Sequence, residues 1–332
     1  MKNKVCYILP YYGKFPNYFD LWLESVRHNA HIADFYIITD SDFPFSTIPS
    51  NVFLVNLSLN EIKERLDKVT GINCCLKSPY KLCDYKPTYG AVFNDIVRDY
   101  DFWGWCDPDI IWGDLSLFIN DDTMSKFDVI GGGGPCTLQR NTPYFVNLFK
   151  KKNRTINAFT FDETRSTNLN LIYDEWGYAR LRKEDGVKET DMYNWFLKRA
   201  LDILPPKGFG PHRVMKIRFS EGLHFVEYSD GKIFDVEILR DDIVNKKEYA
   251  YVHLQKRKMD RLCRDNKHFL IYNETFLPHF MYEEVICNIQ QHFDCFNEGS
   301  SVRTSVGGGK MWQLLQHGKK TIFKRLLRKI GM

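Results

Sequence analysis

Short apolar runs alternate along the chain with amphipathic and polar stretches, and the first run is Val5-Cys6-Tyr7-Ile8-Leu9. An apolar run of this length, closed by turn formers such as Pro10-Tyr11-Tyr12-Gly13, reads as a buried strand. Tyr18, Leu21, Trp22, Ser25 and Val26 then recur at helical spacing, which predicts a helix from about Asn17 to His28. Phe35-Tyr36-Ile37-Ile38-Thr39 and Val52-Phe53-Leu54-Val55 read as two further strands. Ser58, with Glu61 three residues on, has the pattern of a capping box and predicts a helix from Leu59 to about Val69. Strands alternating with helices imply an open, largely parallel α/β sheet, whose ligands bind beyond the carboxyl ends of the strands. Tyr11, Asp40 and Asp107 all stand at such ends and are expected to converge.

The most apolar stretch runs from Tyr100 through Phe102-Trp103-Gly104-Trp105-Cys106 and ends in Asp107-Pro108-Asp109. It reads as a strand buried on both faces. If the backbone stays extended past it, the two acids project from one face, where their repulsion is relieved by a shared proton or a hard cation. The alternative is a surface turn, since Asp and Pro are both turn residues.

Before that stretch, Lys77 to Gly90 carries Lys77, Lys81 and Lys86 among Tyr80, Tyr85 and Tyr89, ahead of a helix expected from Thr88 to about Arg98. A helix start with lysines beside it suits an anionic group, although exposed surface lysines look the same in sequence. After it, Phe127-Asp128-Val129-Ile130 reads as a strand entering the glycine run Gly131 to Gly134 and Pro135. That run fits a flexible loop at a site edge and matches no dinucleotide or phosphate-loop fingerprint. Cys136 to Asn141 reads as a strand, and Thr142-Pro143 opens a helix that ends at Lys150-Lys151-Lys152. Residues from about 153 to 186 are polar and irregular, including Asp162-Glu163 and Asp174-Glu175. Lys188-Glu189-Thr190-Asp191 would open a helix, its acids either serving the helix dipole or facing a polar substrate. Asp230-Gly231 between apolar runs signals a hairpin. Tyr249 to Lys258 reads as a strand with His253 near its end and Lys256, Arg257 and Lys258 after it, and Phe269 to Tyr272 as another.

Composition narrows the class. The 332 residues are 44% hydrophobic, 27% charged and 15% aromatic, an ordinary globular balance with a high share of rings. No apolar run is long enough to span a membrane, and the opening apolar run is too short for a signal peptide. Nine cysteines are scattered without the spacing of a zinc or redox motif, so buried free thiols are expected. The net charge of +4 is uneven, because no acid follows Glu298 while eight lysines and arginines do. After Gly307-Gly308-Gly309, Trp312, Leu315, Ile322, Phe323, Leu326, Leu327 and Ile330 form an apolar stripe between those cations. That is the pattern of a basic amphipathic helix, which suits an anionic membrane surface or packing on the body. No nucleic-acid motif accompanies it.

The acidic pair after a buried strand, the lysine-bearing segment before it and the late His253-Leu254-Gln255-Lys256 together resemble a nucleotide-sugar glycosyltransferase of the GT-A fold. Ile8-Leu9-Pro10-Tyr11-Tyr12-Gly13, Tyr80 to Pro87 and Asp107-Pro108-Asp109 also resemble uncharacterised bacterial transferases of capsular or O-antigen polysaccharide synthesis. The resemblance covers about residues 4 to 260. It implies a Rossmann-like open mixed sheet flanked by helices as a catalytic domain over 1–298, with a nucleotide-binding half (1–130) and an acceptor half (131–298). A flexible linker and the basic tail would follow over 299–332.

The same resemblance assigns roles. Asp107, Asp109 and His253 would hold Mn²⁺ or Mg²⁺. Lys81, Lys86, Asp107 and Lys256 would face the diphosphate of a nucleoside-diphosphate sugar, and Pro10, Tyr11 and Asp40 its base and ribose. Glu189-Thr190-Asp191 would be the acceptor-side acidic motif, with Asp191 the catalytic base. The acceptor would be a glycan or a lipid-linked glycan, reached by a cytoplasmic enzyme lying on the inner face of a cell membrane through residues 310–330. Two other readings use the same residues: a metal-dependent phosphodiesterase or nucleotide-sugar hydrolase, and a non-catalytic glycan- or membrane-binding protein.

Overall fold

The computed structural model describes residues 4–152, 158–190, 200–202, 223–238, 244–254, 256, 258–272 and 274–287. The chain forms two compact units, one of residues 1–216 with 230–233 and 248–257, the other of 217–229, 234–247 and 258–332. These units divide the span 1–298 differently from the expected donor and acceptor halves. Residues 299–332, and with them the basic tail, lie outside the described residues.

The first unit is built on a mixed sheet of β1 (Val5–Pro10), β2 (Ala33–Ile38), β3 (Val52–Val55), β4 (Phe102–Cys106), β6 (Val129–Gly133) and β7 (Cys136–Arg140), in the order β3-β2-β1-β4-β7-β6. The first four run parallel, and β7 turns antiparallel to β4. A smaller sheet sets β5 (Ile110–Trp112) beside β12 (Tyr251–His253) and β8 (Ala200–Asp202). Together with its helices this is the open mixed α/β sheet that the resemblance implied, with the parallel core that the alternating pattern predicted.

The central strands show why so apolar a sequence makes strands. Val5, Tyr7 and Leu9 of β1 join one buried cluster, while Cys6 and Ile8 join another. In β4, Phe102 and Cys106 fall in the first cluster, and Trp103 and Trp105 in the second. Alternation of side chains therefore fills both faces of the sheet. Gly104 lies between them because a Cβ there would stand 1.8 Å from the Thr137 carbonyl oxygen of the neighbouring strand.

The helices follow their signals where the local code is strong. α1 spans Phe19–Arg27 and buries Phe19, Leu21, Trp22, Leu23 and Val26. α2 spans Leu59–Thr70, with Ser58 and Glu61 forming the capping box and Gly71 closing the helix in a left-handed conformation. The helix expected from Thr88 to Arg98 is instead two single turns, Tyr89–Val92 and Asn94–Val97, broken at Phe93. Among the described residues no cysteine is in a disulfide, and Cys6, Cys74, Cys106, Cys136 and Cys263 are buried. No helix among them is long and apolar enough to cross a membrane.

The second unit holds a six-stranded sheet of β9 (Leu223–Ser229), β10 (Lys232–Ile238), β11 (Val244–Tyr249), β13 (Asp260–Arg261), β14 (His268–Tyr272) and β15 (Thr275–Pro278), in the order β11-β10-β9-β14-β15-β13. Asp230 and Gly231 take φ of 44° and 82° between β9 and β10, the two left-handed residues of a tight hairpin turn. Phe225, Val236, Leu270, Leu277, Met281 and Val285 form its core.

Candidate functional site

Parallel register decides where the loops of the first unit meet. Pro10 pairs with Ile38, and Ile8 with Trp105, so β1, β2 and β4 finish along one edge. Tyr11 N–H donates to the Ile38 carbonyl at 3.0 Å, and Gly13 N–H to Ser41 Oγ at 2.8 Å, which ties the Pro10–Gly13 loop to the end of β2. Asp40 is exposed beside that tie, with its charge acting on Tyr12, while the Asp109 charge acts on Tyr11 and Tyr18. Tyr11, Asp40 and Asp107 thus follow three strands that end along one edge.

Asp107-Pro108-Asp109 is not extended. It is a turn from β4 into β5, and it is the turn that gathers the two acids. Asp107 N–H donates to the Pro135 carbonyl at 2.8 Å, and the Asp109 carbonyl accepts from Leu254 N–H at 2.8 Å. The second contact explains His253. β12 pairs antiparallel with β5, His253 opposite Ile110, so the imidazole arrives one position from Asp109. Ligand atoms of Asp107, Asp109 and His253 lie within 4.8 Å of one another. His253 Nε2 stands 3.5 Å from Asp109 Oδ1.

Asp109 is 3% exposed, and its Oδ1 is a buried oxygen that accepts no hydrogen bond. Its other oxygen accepts from Lys256 N–H, and Lys256 adopts a left-handed φ of 55° in making that contact. Burial alone would raise the Asp109 pKa, but His253 and the Lys256 amide outweigh it and hold the carboxyl below its ordinary range. A charged carboxylate kept in the interior, one oxygen facing the His253 ring without a hydrogen bond, leaves room for a further positive partner.

The three lysines expected near a phosphate divide. Lys86 is at the site: its ammonium donates to Asp107 Oδ1 at 2.8 Å and to the Gly134 carbonyl at 2.9 Å, and lies 3.5 Å from Asp174 Oδ2. Burial opposes its charge, yet the Asp107 and Asp174 carboxylates hold it well above the ordinary lysine value. Lys256 stands at the rim, its ammonium 4.4 Å from the centre of the Tyr80 ring and 2.8 Å from the Tyr80 hydroxyl. Lys81 is a correction. It is 1% exposed and faces inward, donating to Asp84 Oδ2 at 2.7 Å and to the Leu169 carbonyl at 2.6 Å, so its charge is spent inside the fold.

The glycine run is a second correction. Val129–Gly133 is strand, and Gly134-Pro135 is the tight turn into β7. It borders the site as expected, but as a hairpin whose carbonyls receive Lys86, Asp107 and Trp105 Nε1. Glu189 is the third. Lys188 to Thr190 runs extended along β6, and the helix expected to follow lies outside the described residues. The Glu189 carboxylate receives Arg182 Nε at 2.8 Å, an ion pair away from the acids. Asp191 lies outside the described residues.

Sequence reading missed Asp174 and Glu175. They sit on a single wide turn, Tyr173–Gly177, of the π-helical kind that recurs at functional sites. Asp174 is 5% exposed, and burial pushes its pKa up to about 7 against the pull of Lys86. Glu175 comes so close to the Gly134 turn that a Cβ on Gly134 would stand 1.9 Å from Glu175 Oε1. The acidic doublet was visible in the sequence, and the aromatics Tyr173 and Tyr178 around it were the sign of a buried turn. Asp107, Asp109, Asp174 and Glu175 thus gather around Lys86, Lys256 and His253, an acid-rich cluster.

The fold and site define an α/β protein with an acid–imidazole cluster beyond the carboxyl edge of its parallel strands. The sequence matches the family of unknown function DUF6625 over residues 7–279, and the chain belongs to it. No curated protein matches it in sequence. Among solved structures it is similar to the galactosyltransferase LgtC in complex with donor and acceptor sugar analogs, at 9% identity and a TM-score of 0.34, over 59% of this chain and 75% of that one. It is similar also to the apo form of the glycosyltransferase GlyE from Streptococcus pneumoniae TIGR4, at 13% identity and a TM-score of 0.28, over 57% of this chain and 46% of that one. The match thus spans less than half of GlyE. Overlaps this loose leave the functional reading to rest on the site itself.

Proposed function

We propose that the protein is a glycosyltransferase of the GT-A type that moves a sugar from a nucleoside-diphosphate sugar to a glycan or lipid-linked acceptor. One observation carries the reading: Asp107, Asp109 and His253 bring ligand atoms within 4.8 Å of one another, beside Lys86. Two carboxylates and an imidazole suit a divalent ion such as Mn²⁺, with Mg²⁺ the harder alternative. The bare Asp109 Oδ1 and the surplus of acids fit such an ion. When bound, it offsets the charge that develops on the departing diphosphate.

The chain's own residues do the rest. Lys86, clasped between Asp107 and Asp174, fixes the Asp107 carboxylate and lowers the repulsion within the cluster. Lys256, at the rim beside Tyr80, offers its ammonium to the diphosphate oxygens. Pro10, Tyr11 and Asp40, along the ends of β1 and β2, frame the base and ribose. The biological setting in this reading is bacterial surface polysaccharide synthesis on the inner face of the membrane, with the basic tail holding the enzyme there.

A thermal-shift panel of sugar nucleotides with and without Mn²⁺ tests the activity class. A binder should raise the melting temperature only with the cation, and Asp109→Ala should weaken its affinity about 10²-fold, near 2.7 kcal/mol. Binding that ignores both the cation and Asp109 would sink the reading. Release of free sugar without transfer to any glycan would favour a hydrolase. Separately, removing residues 307–332 should free the protein from anionic liposomes and spare nucleotide binding; unchanged flotation removes the membrane role.

A further inference from the structure

We infer that Glu175 is the catalytic base of the proposed transfer, taking the proton of the attacking hydroxyl from its place across the Gly134 turn. This rests on the glycosyltransferase reading, and the carboxylates at the site argue it by their partners. Asp107 is bonded to Lys86, and Asp109 is committed to the Lys256 amide and the His253 ring. Asp174 is buried against Lys86, and Glu189 is bonded to Arg182. Glu175, by contrast, stands beside this cluster with no hydrogen bond or ion pair among the described residues holding its carboxylate. The residue reaches the surface while its carboxyl is partly enclosed, and Lys86, Asp107, His253 and Lys256 all act on its charge. It therefore faces the diphosphate pocket and bulk water together, as a residue that accepts a proton and then releases it must.

The supporting structure is specific. Asp84 accepts the backbone N–H groups of Leu171 and Tyr173 at 2.8 Å each, fixing the start of the wide turn that presents Glu175. Gly134 opposite has no Cβ, and any other residue there would meet Oε1. In the step itself the acceptor oxygen bonds to the sugar's anomeric carbon as the bond from that carbon to the diphosphate oxygen breaks. The bonding pair leaves with the diphosphate, and the hydroxyl proton moves to the Glu175 carboxylate, which passes it to water.

The test uses the full chain with Mn²⁺, taking UDP-glucose, UDP-galactose and GDP-mannose as donors, and follows nucleoside-diphosphate release with water as acceptor. Glu175→Gln should lower the rate by about 10²–10⁴-fold with donor affinity and melting temperature unchanged. Azide attacks without losing a proton, so it should restore sugar transfer to Glu175→Ala and form the glycosyl azide. Gly134→Ala, which displaces the carboxylate, should show the same loss and the same rescue. A wild-type rate in Glu175→Gln, or a loss that azide does not rescue while the donor still binds, overturns the assignment. So does the appearance of that loss and rescue in Asp191→Asn instead. If the wild-type chain binds none of the donors, the glycosyltransferase reading has failed first, and the assignment falls with it.

Discussion

Lys81 and Lys86 sit on consecutive short turns of one segment, and the fold uses them in opposite ways. Lys81 and Asp84 form an ion pair with both side chains at 0% exposure, whose remaining capacity goes to the backbone of 169–173. Both Asp84 oxygens accept hydrogen bonds, so no carboxylate oxygen is left over for a ligand. Lys86 has two carboxylates around it and lies in a cluster where Asp109 Oδ1 accepts no hydrogen bond. The difference between a staple and a site is therefore one of satisfaction rather than residue type. A buried charge whose partners are all supplied by the chain holds structure, and one left short of partners invites a ligand.

Breaking the staple should have the largest effect on stability. Asp84→Ala leaves the Lys81 ammonium buried with only a carbonyl and frees two backbone amides, so it should cost about 3–5 kcal/mol in chemical denaturation. Replacing Lys81 and Asp84 together by Met and Leu should recover much of that loss, because no lone charge is left inside. If the single change costs under ~1 kcal/mol, the pair is not the staple described. Asp109→Ala sharpens the contrast from the other side. It takes the partner from the Lys256 amide and the buried His253 ring, so without the cation it should cost about 1–2 kcal/mol, less than breaking the staple, while cation-dependent donor binding collapses.

How far these roles were legible differs along the same lines. β1, β2 and β4 were readable because a sheet covered on both faces demands uninterrupted apolar strands, and Ser58 with Glu61 because a cap is a local contract. Asp107, Asp109 and His253 were readable as residue types, and the parallel register supplied the rest. Lys81 and Lys86 were not separable, since the partner that closes Lys81 includes the Leu169 carbonyl, brought in by a distant return of the chain. Asp174 and Glu175 stayed hidden for the same reason, their place being set by Asp84. At Lys188–Thr190 the backbone of β6 offers hydrogen bonds across a long sequence separation, which the local code could not weigh.

The smallest effect separates the two lysines by pH. Asp174 faces Lys86, Glu175, Asp107 and Asp84, and burial lifts its pKa from an ordinary 3.8 to about 7 in the folded chain. The folded state therefore holds this proton more tightly than the unfolded one between those values. Its contribution to stability is full below about pH 4 and is lost as the pH rises toward 7. Asp174→Asn keeps the shape and removes the titration, so the cation-free protein should lose part of the downward slope of melting temperature across that window. An unaltered slope in Asp174→Asn would mean that Lys86 keeps Asp174 ionised throughout. Lys86 would then be as fully paired as Lys81, and the distinction between staple and site would have to rest on Asp109 alone.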